Sequence, residues 1–102
     1  MSTSTPADLS IAFRSLPRRL REASILDVAP DAIAVATSAV EDALSASAHL
    51  LGCSATVESI ASAIEMRHLD DWSASDLVLL QSHARQAGTA IRVLHDLADG
   101  SA

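Results

Sequence analysis

"HLLGCSATVE", residues 49–58, sets a histidine four positions before the single cysteine of a 102-residue chain, with Gly52 between them. Either one long helix runs through this stretch, or two helices meet at a glycine. Around it, small and apolar positions keep alternating steps of three and four: Ala36, Val40, Ala43, Ser47, Leu50, Ser54, Val57, Ala61, Ile64 and His68. That is the spacing of one helix face. A helix ending at Gly52 would restart with a new cap and a shifted stripe, yet the stripe runs on unshifted. Ser54 is followed three residues later by Val57, not Glu or Gln, so no capping box restarts the chain there. The pattern favours a continuous helix to about Leu69, with Gly52 costing about 1 kcal/mol of helix propensity. Cys53 and Ile60 fall at the edge of the stripe.

Two starts fit this helix. One is Pro30-Asp31, with proline in the first turn and a carboxylate near the positive end of the dipole. The other is Ser38, whose "SAVE" puts Glu41 in the capping-box position. Upstream, Thr5-Pro6 reads as an N-cap followed by proline, and Leu9, Phe13, Leu16 and Leu20 recur at helical spacing. Pro17 is expected to kink or restart that helix. Residues 1–24 therefore form an N-terminal arm with a kinked helix. "ILDVAPD", residues 25–31, is an extended connector into a hairpin domain spanning 25–102, and the whole chain is one domain.

The stop of the long helix is sharper. In "LDDWSASDLVLL" Ser73 is an N-cap with Asp76 at the third helical position, and Trp72 and Leu77 are placed to form a hydrophobic staple. The last helix runs from about 74 to 98, with Gly100 past its end. One apolar line on it is Leu77, Leu80, Ala84, Ala87, Ile91, Leu94 and Ala98. A second runs beside it: Leu79, His83, Gln86, Ala90, Val93 and Leu97, with Arg85, Thr89, Arg92, Asp96 and Asp99 on the wet face. A short turn makes the two long helices antiparallel neighbours. One partner helix cannot cover both lines, so a third helix or a second subunit must. The fold class is all-α: an antiparallel helical hairpin plus an N-terminal helix, dimerising into a bundle with a four-helix core.

Composition agrees. Apolar residues make up 49% of the chain but aromatic ones only 2% (Phe13 and Trp72), so a core of Ala, Leu, Ile and Val buries modest area and self-association is expected. The net charge is −6, all seven positive side chains are arginine, and four of them (Arg14, Arg18, Arg19, Arg21) sit near the N-terminus. An acidic body repels phosphate, so no nucleic-acid partner is expected. A lone cysteine excludes an internal disulfide, no secretory signal opens the chain, and no apolar run reaches the roughly 18 residues a membrane span needs. A cytoplasmic protein without membrane contact is the expectation.

Chemistry is sparse. A cysteine nucleophile needs a lowered pKa, an oxyanion site and an orienting group, and His49 with Cys53 supplies none of these, so Cys53 reads as a small buried hydrophobe. "EMRH" places Glu65 and His68 in the Glu-x-x-His spacing of di-metal carboxylate bundles, but the last helix offers "RVLH" where the second copy should be. Neither phosphate-binding glycine motifs nor a serine elbow occurs. No catalytic residue, cofactor or metal is assigned, and no enzymatic activity is expected. The apolar lines point instead to covering another surface, that of a second copy or of a partner. A small helical chaperone or secretion adaptor is an alternative.

The stretch "LDVAPDAIAVATSAVEDALSASAHLLGCSATVESIASAI", followed by a short turn and a second helix, resembles short all-helical pseudomonad proteins of largely unassigned function. The likeness spans roughly residues 26–98 and rests on the "VAPD" turn and the "DAL…AS…LL" pattern. Within that group, size, charge and layout look like quorum-sensing anti-activators of the QslA type. The resemblance implies binding to the ligand-binding domain of a LuxR-type, LasR-like transcription factor, which blocks its dimerisation and DNA binding. The contacts expected from the helical wheel are Phe13, Leu16, Leu79, His83, Gln86, Val93 and Leu97.

Overall fold

Thr5 opens the first helix with a full capping box. The Asp8 N–H donates to Thr5 Oγ1 at 3.2 Å, and the Thr5 N–H donates back to Asp8 Oδ2 at 3.3 Å. In the computed structural model, which describes residues 5–67 and 69–99, the elements in order are α1 (Pro6–Ile25), α2 (Pro30–Leu51), α3 (Val57–Met66), a single 3-10 turn (Leu69–Asp71) and α4 (Ala74–Asp99). Every element among the described residues is helical, as expected, but the boundaries depart from the sequence reading at three places.

First, α1 does not restart at Pro17; it runs unbroken from Pro6 to Ile25. Proline removes the N–H that would reach the carbonyl four residues back, at a cost of about 3 kcal/mol. Phe13 and Leu16 before it and Ala23 after it are all buried, so packing on both sides holds the helix together. Second, α2 begins at Pro30 with Asp31 in its first turn, and the alternative start at Ser38 is mid-helix. Third, the long helix is broken. Gly52 takes a left-handed conformation (φ 69°, ψ 37°), and the Cys53 N–H reaches back to the Ala48 carbonyl at 3.0 Å, the six-residue closure of a Schellman-type stop. Only glycine adopts this backbone without strain. The chain restarts at Thr56, whose Oγ1 accepts the Ser59 N–H at 3.1 Å, with Glu58 in the first turn of α3.

The start of α4 follows expectation. Ser73 Oγ accepts the Asp76 N–H at 3.0 Å, Trp72 is buried before the cap, and Leu77 is half-buried against the core. Gly100, expected to close this helix, lies outside the described residues.

Within the chain, the described helices enclose a core of their own. Contact is most extensive between α2 and α4, while α1 lies on both α3 and α4. Phe13, Leu16, Ile60, Ile64, Leu80, Ile91 and Leu94 are its largest fully buried apolar side chains. One polar tie crosses it: the Ser10 hydroxyl, buried, donates to Glu65 Oε1 at 2.8 Å, while Arg14 pairs with Glu65 Oε2 at 3.2 Å. Both bind α1 to the end of α3. The radius of gyration, 14.3 Å, exceeds the roughly 13 Å expected at this length. The principal extents of 49 × 31 × 17 Å describe a slab.

Candidate functional site

α4 is 26 residues long and carries two apolar lines with different fates. On the first, Leu80, Ala87, Ile91 and Leu94 are buried, and Leu77, Ala84 and Ala98 are half-buried. Its neighbours α1 and α2 cover it. On the second, Leu79, Val93 and Leu97 remain 46%, 48% and 46% exposed. His83 and Ala90 on that line are half-buried and Gln86 is exposed. Leu79 and Leu97 are five helical turns apart, so the strip is about 27 Å long. Val78, 57% exposed, is not part of the strip: seven and fourteen residues before Arg85 and Arg92, it lies on their face of the helix.

Other exposed aliphatic residues, Ile11, Ile25, Val35 and Met66, are spread over three helices and need no partner. The α4 strip differs because its members recur on one face.

Two of the expected contacts are corrected by the fold. Phe13 is 0% and Leu16 1% exposed. They occupy the core because α1 packs inward on α3 and α4, so neither offers surface to a partner. The remaining five, Leu79, His83, Gln86, Val93 and Leu97, lie together on the second line of α4.

The other motifs do not assemble a reactive centre. His49 is exposed on the last turn of α2, and Cys53, half-buried, follows the left-handed glycine, so the break removes the shared helix face that their spacing suggested. Glu65 uses one carboxylate oxygen on Ser10 and the other on Arg14, so a metal there would have to displace both contacts. His68, its expected companion, lies outside the described residues. Among the described residues, no three His, Cys, Asp or Glu side chains come together as a metal site. None of the described helices is long and apolar enough to cross a membrane.

Two buried polar atoms have no hydrogen-bond partner among the described residues, Ser47 Oγ and Trp72 Nε1. Arg67 stacks over the Trp72 ring at 5.1 Å from its centroid, a cation–π contact that closes the α3–α4 corner. Compared with known proteins, the chain matches no family model, no curated protein and no solved structure.

Proposed function

We propose that this chain is a non-catalytic, homodimeric binding protein of the anti-activator kind. It docks on the ligand-binding domain of a LuxR-type, LasR-like transcription factor and blocks that factor's dimerisation and DNA binding. The observation that carries the reading is the strip of Leu79, Val93 and Leu97 along one uncovered side of α4. A long helix with repeated half-exposed aliphatic side chains suits competition for a helical pairing surface. The same strip serves self-pairing, because its four-and-three spacing reads identically in both directions. In an antiparallel pair of α4 helices centred on Gly88, Leu79 would face the second copy's Leu97.

The test is capture of a purified, folded LuxR-type ligand-binding domain by the full chain. Leu79→Asp and Val93→Asp should each abolish capture while circular dichroism shows an unchanged helical content. Normal binding by both variants rules out this face. Binding to an unfolded client but not to the folded domain would favour a chaperone or secretion adaptor. Sedimentation of the chain alone tests the homodimer, and a strictly monomeric species contradicts it.

A further inference from the structure

The opposite shoulder of α4 carries a different surface. Between α1 and α4 lies an open groove of about 480 Å³, lined by Arg19 from α1 and by Arg85, Gly88, Thr89 and Arg92 from α4. Three of the seven arginines of an acidic chain therefore line one groove. Among the described residues the ion pairs are Arg14 with Glu65 and Arg18 with Glu22, so none of these three arginines is paired with a described carboxylate. Asp96, one turn beyond Arg92, makes no ion pair with it. The one carboxylate lining the groove, Asp8, already accepts the Thr5 N–H in the capping box of α1.

The three arginines fall along one face of α4. Arg85 and Arg92 are seven residues apart, which puts them on one helix face about 10.5 Å apart along the axis. Gly88 lies between them, and Arg19 Nη1 comes within 3.6 Å of where a Cβ on Gly88 would stand. A glycine inside a helix is destabilising. Here it leaves room for the Arg19 head, and a longer side chain would push that head off the line.

We infer that this groove binds an acidic protein segment, a helix whose carboxylates recur at i, i+3 or i+4, and i+7. Such a helix repeats the spacing of the arginine row, and each carboxylate meets a guanidinium fork that matches its geometry. A nucleotide or polyphosphate suits the groove less well. No aromatic side chain lines it to stack a base, and the first turn of α1 at its edge has its Asp8 and Leu9 N–H groups already donated to Thr5 Oγ1 and the Thr5 carbonyl. The inference is independent of the apolar strip, which lies on the other shoulder of α4.

The experiment measures fluorescence anisotropy of a labelled helical peptide with glutamates at i, i+4 and i+7, titrated with the full chain. Its controls are the same peptide with glutamines, and pyrophosphate and ATP as competitors. The glutamate peptide should bind, weaken with salt, and lose about tenfold in affinity in Arg85→Ser/Arg92→Ser, the loss expected of two exposed ion pairs. Arg21→Ser, outside the groove, should bind as the parent does. Equal binding of the glutamine peptide, an equal loss in Arg21→Ser, or no binding of the glutamate peptide would each overturn the assignment. Pyrophosphate or ATP binding in the peptide's place would also overturn it, in favour of a phosphate site.

Discussion

The two apolar lines of α4 share one backbone and one set of helical angles, yet one is sealed and the other is open. Toward α1 and α2, Leu80, Ala87, Ile91 and Leu94 are at most 1% exposed. On the opposite side Leu79, Val93 and Leu97 keep nearly half their surface in water. Hydrophobicity alone does not separate the lines, since both contain leucine and a β-branched residue. What separates them is the supply of covering helices. The reversal at Gly52 cuts the second long helix short, and α3 then folds beneath α1. The chain has spent its helices on one side of α4 and has none for the other.

The largest expected effect is on the sealed side. Phe13→Ala should cost about 3–5 kcal/mol, a large part of the total stability of a domain this size. Urea unfolding would measure it, and a loss below about 1 kcal/mol would mean that α1 is not the cover described. Next, Gly52→Ala should cost about 1–2 kcal/mol, because an L-residue is strained at φ 69° although nothing lies within 4 Å of the added methyl. An unchanged midpoint would place that residue in an ordinary helical conformation and restore the uninterrupted helix.

On the open side Leu79→Asp should change stability by about 1 kcal/mol or less, since a half-exposed side chain has little burial to lose. A loss as large as that of Phe13→Ala would show that the strip is already covered. The smallest effect has the opposite sign. Gly88→Ala should raise stability by about 0.5–1 kcal/mol, because the nearest atom, Arg19 Nη1 at 3.6 Å, makes only ordinary contact with the methyl. Thermal melts of Gly52→Ala and Gly88→Ala side by side would thus move in opposite directions, and a fall for Gly88→Ala would contradict the groove geometry.

Local chemistry was legible in the sequence where several signals coincided. At Ser73, the cap, the acid three residues on and the flanking Trp72 and Leu77 agree, and the helix starts there. The first line of α4 was equally plain. The break at Gly52 was not, because Ala61 and Ile64 sit where an unbroken stripe would also place them, so the five loop residues hide inside the periodicity. Thr56 was the missed signal: it caps α3 without a Glu or Gln partner, so a search for capping boxes passed over it. Pro17 misled in the other direction, since intrinsic propensity ignores the buried residues that hold α1 together across it. Phe13 and Leu16 were misassigned for a related reason: a helical wheel identifies an apolar face but not what that face meets. The arginine groove is tertiary in origin, with Arg19 and Arg92 73 positions apart in the sequence.

The most direct test is the capture of a folded LuxR-type ligand-binding domain by the parent chain and by Leu79→Asp and Val93→Asp, read together with their helical content. Loss of capture in both variants, with helicity intact, is the expected result. Undiminished capture by both would contradict a binding role for the Leu79–Leu97 line of α4.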